Sequence, residues 1–114
     1  MTQIESLIRE YALHRLASVF HVDPATLFPS ARFGEQLKAG PKSFFGDNEF
    51  ELIDHDIKDV ADKSLLKAMA RGELEIRTVS DYCDHMVRCY SIKPTEVARL
   101  LSLPPLVDAG RVPD

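Results

Sequence analysis

Positive charge is in short supply in this chain. Its 114 residues carry 14 Lys and Arg against 18 Asp and Glu, a net charge of −4, so its field repels a polyanion and favours a basic protein. Nucleic acid is therefore not an expected partner. No apolar run approaches the roughly 20 residues that cross a bilayer, so no membrane span is expected. The start, MTQIESLIRE, lacks the basic end and apolar centre of a signal peptide, and a cytoplasmic location is expected. A Gly-rich phosphate loop, a G-x-S-x-G elbow and a workable Ser/His/Asp order are all missing, which argues against an enzyme.

Cysteine is scarce too. Cys83 and Cys89 are the only two, and in a helix six residues mean about 9 Å of rise, too far for a disulfide. Both are expected to be reduced, Cys83 as core packing on an apolar stripe and Cys89 off it, with no base placed to activate either. Metal ligands fare no better. Asp54, His55 and Asp56 are consecutive and point about 100° apart on a helix, which leaves His55 and Asp59 as a two-ligand pair. His14, His21 and His85 are scattered.

What is present reads as helix. Thr2 and Glu5 form a capping box, and Ile4, Leu7, Ile8, Tyr11, Leu16, Val19 and Phe20 recur at helical steps to about His21. Asp23-Pro24 stops that helix and can cap a single turn. From Phe28 to Gly46 the chain is punctuated by Pro and Gly, yet it holds Phe28, Phe33, Phe44 and Phe45. These are expected to clamp an ordered loop onto the helices. Asp47 opens a second helix that buries Phe50, Ile53, Ile57, Val60 and Ala61. Glu49, Glu51, Asp54, Asp56, Asp59 and Asp62 surround it against Lys58 alone, an anionic excess that i,i+4 pairs cannot neutralise.

A break is expected at Asp62-Lys63-Ser64, followed by an apolar stretch that ends at Gly72. Thr78 and Asp81 form a second capping box. Val79, Tyr82, Cys83, Met86, Val87 and Tyr90 then give the most regular stripe in the chain, expected to share one core with Ile8, Tyr11, Ile53 and Ile57. A short last helix spans Pro94 to Leu101. One domain, 1–103, followed by a tail, 104–114, is the expected division.

The order of these phrases resembles an acyl carrier protein. Ala31-Arg32-Phe33-Gly34-Glu35-Gln36-Leu37 is similar to the carrier phrase T-x-F-x-E-D-L, Phe50-Glu51-Leu52-Ile53 to the V-E-L-V of the recognition helix, and Arg77-Thr78-Val79-Ser80-Asp81-Tyr82 to the start of the last helix. The resemblance implies an all-α fold: a small acyl-carrier-like bundle of three to four main helices, with a long ordered loop after the first and an extra short C-terminal helix. Carriers hold a 4'-phosphopantetheine arm on the serine of Asp-Ser-Leu. By spacing, that serine falls here on Pro41 or Gly46, and Gly46-Asp47-Asn48-Glu49 is similar to a Gly-Asp-Asp-Ala phrase of some small bacterial carrier-like proteins.

Two expectations follow. The first is a carrier-like protein without a prosthetic group, acting as an interaction or regulatory module that offers Glu51, Asp54, Asp59 and Asp62 to a protein partner with a basic patch. The second is a divergent working carrier with 4'-phosphopantetheine on Ser43, the one hydroxyl in that part of the loop.

Overall fold

A computed structural model of the chain describes residues 3–35, 37 and 49–104. Among these residues it is a bundle of five α-helices, α1 (Gln3–Phe20), α2 (Glu49–Asp59), α3 (Lys63–Ala70), α4 (Val79–Tyr90) and α5 (Pro94–Leu101), with one 3-10 turn at Pro24–Thr26. The helix boundaries are set by local chemistry. Asp23 Oδ1 accepts the Ala25 N–H over the 3-10 turn at 2.9 Å, and Asp62 caps α3 by accepting the Leu65 N–H at 2.9 Å. Thr78 and Asp81 close the capping box of α4. Thr2 and Asp47, the expected caps of α1 and α2, lie outside the described residues, as do 105–114 of the expected tail.

Three helices end on a left-handed residue: His21 after α1, Gly72 after α3 and Ser102 after α5. In each case the next N–H reaches back five residues, Val22 to Ala17, Glu73 to Ala68 and Leu103 to Ala98. This closure satisfies the carbonyls that a helix end leaves free. Gly72 takes φ +75° without a Cβ clash, so α3 stops where the sequence indicates.

The most extensive helix pairing is α1 with α4, and α5 packs on both. Ile8, Leu16, Val79, Tyr82, Met86 and Val97 are each at most 1% exposed, while Tyr11 and Val87 pack at the edge of the same cluster as Ile53 and Ile57. Two features depart from the stripes read in the sequence. Cys89, expected off the apolar face, is fully buried, and so is Ala12 on α1, with Ala17 at 4% exposure. Small side chains carry little apolar signal, yet they let helix axes approach closely.

Residues 29–33 lie along the entrance to α4. Phe33 N donates to Arg77 O, Val79 N to Ala31 O and Ser80 N to Pro29 O, with an isolated bridge between Arg32 and Thr78. The first N–H groups of α4 are therefore satisfied by this segment and by Thr78 Oγ1. Phe33 stacks on Phe20 with ring centroids 6.0 Å apart. Phe28 instead stands 68% exposed, so it does not clamp the segment onto the helices.

Candidate functional site

The acidic helix α2 divides its charges between two environments. Asp54 and Asp59 are exposed and Glu51 is half-buried; Asp54 forms an i,i+4 pair with Lys58 at 3.0 Å. Asp62 lies past the end of α2, half-buried, with its carboxylate turned to the α3 backbone. Asp56, read in the sequence as one of the acids surrounding the buried face, is itself 4% exposed. Phe50 departs the other way: it is 36% exposed and leans at an angle against Phe20.

Asp56 is the hub of a polar network joining three helices. Arg15 of α1 grips it at two points, Nε to Oδ2 at 2.8 Å and Nη2 to Oδ1 at 3.0 Å. The Tyr82 hydroxyl of α4 donates to Oδ2 at 2.9 Å. A forked guanidinium suits a carboxylate in this way, and it leaves the buried charge with its hydrogen bonds filled. Burial, with the Asp56 charge behind it, pushes the Tyr82 hydroxyl well above its ordinary value, so it stays a donor. The hydrogen bonds to Asp56 raise Arg15 in turn. A signal for the hub is present in the sequence, because Asp56 sits three residues after Ile53 and directly before Ile57, on the apolar stripe itself. A charge there needs a partner of opposite sign on a facing stripe.

One turn further along α4, His85 is fully buried and its Nε2 lies 2.8 Å from the Ile57 carbonyl. A carbonyl only accepts, so Nε2 carries the proton. Ile57 belongs to the last turn of α2, where carbonyls have no partner within the helix, and His85 closes that end from outside. Cys89 Sγ is 3.5 Å from the same ring nitrogen. Burial pushes both thiols up to about 11, so they are protonated at neutral pH and not activated as nucleophiles.

Burial also lowers His85 from its ordinary value of 6.5, against the bond to Ile57, which acts the other way. The folded protein thus takes up this proton later than the unfolded chain does. The stability that neutral His85 confers is complete above about pH 6.5 and is lost as pH falls from there through the lowered folded value. The urea midpoint is expected to drop between pH 7.5 and pH 5.5, with a smaller drop in His85→Gln, which keeps a donor without the titration. An equal drop in both proteins would assign the acid sensitivity to other groups.

Beside α2 runs an open groove of about 670 Å³, lined by Asp54, Ile57 and Lys58 of α2, by Leu66, Met69 and Ala70 of α3, and by Leu74, Glu75, Ile76 and Arg77. A smaller hollow of about 160 Å³ extends it to Phe33 and Phe50. Its floor is apolar and its charges are paired at the rim, Asp54 with Lys58 and Glu75 with Arg77. Leu52 and Leu66 stand 37% and 38% exposed on these two helices. On the other side, Asp59 shares a crevice of about 240 Å³ with Arg15, Glu96 and Arg99.

The site residues read from the sequence are therefore not one surface: Asp54 edges the groove, Asp59 the opposite crevice, and Asp62 serves the α3 cap. Ser43 lies outside the described residues. Among the described residues, no helix is long and apolar enough to cross a membrane, and no three His, Cys, Asp or Glu side chains gather to hold a metal. No protein-family model, curated protein or solved structure matches the chain.

Proposed function

We propose that the chain is a carrier-like helical module that works without a prosthetic group and docks a basic protein partner on the outer face of α2. The supporting observation is the juxtaposition of acidic side chains on α2 with an apolar groove between α2 and α3. A partner helix bearing one apolar ridge and Lys or Arg along its flank meets both at once: the ridge fills the groove, and the flank meets Asp54 at its edge and Glu51 about one turn before it. Complementary charge then sets orientation and speeds encounter. The element order supports the carrier-like part of the reading. It has one long helix, then after many intervening residues an acidic helix, a short helix and a well-capped fourth helix, with α5 as the addition.

Separate reversal to Lys of Asp54, at the groove, and of Asp59, on the opposite crevice, tests the reading. Both are exposed, so folding stability should change by about 0.5 kcal/mol or less per site, with Asp54 at the upper end because Lys58 then faces a like charge. Partner capture from lysate should fall sharply for Asp54→Lys and stay near the wild-type level for Asp59→Lys. Wild-type capture should weaken with salt as the screening length shrinks from about 10 Å at 0.1 M to about 3 Å at 1 M. Capture by Asp54→Lys equal to that by the wild type, with no salt dependence, would remove the acidic face from recognition.

A further inference from the structure

The helices are unequally anchored. Val60 is the one fully buried side chain among residues 49–72, whereas Ala12, Leu16, Met86 and Val97, equally buried, belong to α1, α4 and α5, which pack on one another, and α4 has its first N–H groups satisfied by residues 29–31 and Thr78. Neither that packing nor these hydrogen bonds involve α2 or α3. The α3 helix buries no residue completely. The α2 helix is fastened by Ile53 and Ile57 with Asp56 among them, and Val60 follows. Two of its tertiary hydrogen-bonding groups are adjacent, the Asp56 carboxylate, bonded to Arg15 and Tyr82, and the Ile57 carbonyl, bonded to His85.

We propose that residues 49–72 open and close as one unit, released when these two adjacent polar links break, while α1, α4 and α5 remain folded. Opening of this unit gives up Ile53, Asp56, Ile57, Val60 and Ala61 from the interior, and the larger core of α1, α4 and α5 keeps the packing among its own helices. Such contiguous segments open at lower free energy than the global transition. The Asp56 and Ile57 links act together as a latch, since both lie within one turn of one helix and hold it to α1 and α4 at once. The inference concerns the protein by itself and does not depend on the docking reading.

Amide hydrogen exchange on the full chain tests it. After correction for intrinsic rates, amides of α2 and α3 should exchange about tenfold or more faster than those of α4. Two substitutions then separate the openings. Val97→Ala weakens only the part that stays folded, so exchange in α4 should quicken while α2 and α3 keep their wild-type rates. Asp56→Asn weakens the latch, which breaks in the local and the global opening alike, so exchange should quicken in all three helices by a similar factor. Equal protection across α2, α3 and α4 in the wild type, with Val97→Ala quickening all of them alike, would overturn the proposal. Leu101→Ala, 4% exposed on the same helix, serves in place of Val97→Ala if that variant does not fold.

Discussion

Arg15→Met is expected to destabilise the protein by about 3–5 kcal/mol, the usual cost of leaving a buried charge without its counter-ion. The lower part of that range applies, because the Arg15 side chain is 33% exposed and water can partly replace it. Asp56, 4% exposed, would keep only the Tyr82 hydroxyl. Replacement of the whole hub by apolar groups, Arg15→Met with Asp56→Leu and Tyr82→Phe, should return stability to the wild-type level or above, since a well-packed apolar cluster has no desolvation penalty to offset. Urea denaturation of the single and triple variants checks both halves. A single variant as stable as wild type would mean that Asp56 finds water or another donor when Arg15 is gone.

Met86→Ala should cost about 2–5 kcal/mol, and Ile53→Ala a similar amount, because each removes a buried side chain and leaves a cavity. Met86 is 0% and Ile53 3% exposed. Against a total stability of about 5–15 kcal/mol for a domain, either loss is large. Leu52→Ala, one position from Ile53 but 37% exposed, is the control and should change stability by less than about 0.5 kcal/mol. Thermal or urea midpoints that fell equally for Leu52→Ala and Ile53→Ala would place α2 in a different rotation about its axis.

Helix existence was legible wherever a stripe coincided with a cap. Thr78 with Asp81, Asp62 ahead of Leu65, and Pro94 at the first turn of α5 each announce a boundary that the fold keeps. Burial was harder to read for residues whose chemistry hides their place. Ala12 and Cys89 carry weak apolar signals yet are fully covered, and Phe28 carries a strong one yet stands out in solvent. The acidic helix misled for a different reason: a count of charges along α2 treats Asp56 as one more anion, whereas its position on the stripe makes it the partner of Arg15. His85 was equally hidden. Its role depends on the carbonyl of Ile57, a backbone group that no side-chain pattern reports.

The pairing of α1 with α4 bears on how the chain comes off the ribosome. Ile8, Ala12 and Leu16 are made early, but the side chains that cover them, from Val79 to Cys89, are made late. A nascent chain that stops before α4 has its longest apolar stripe uncovered, and a helix in a protein draws most of its stability from packing of that face. Closure of so long an intervening segment must come before the main contacts repay it, which places this bundle among the slower helical folders. Synthesis of the two-thirds of the chain that precede Val79 thus yields no stable intermediate, and the protein becomes a folded object only when its fourth helix is complete.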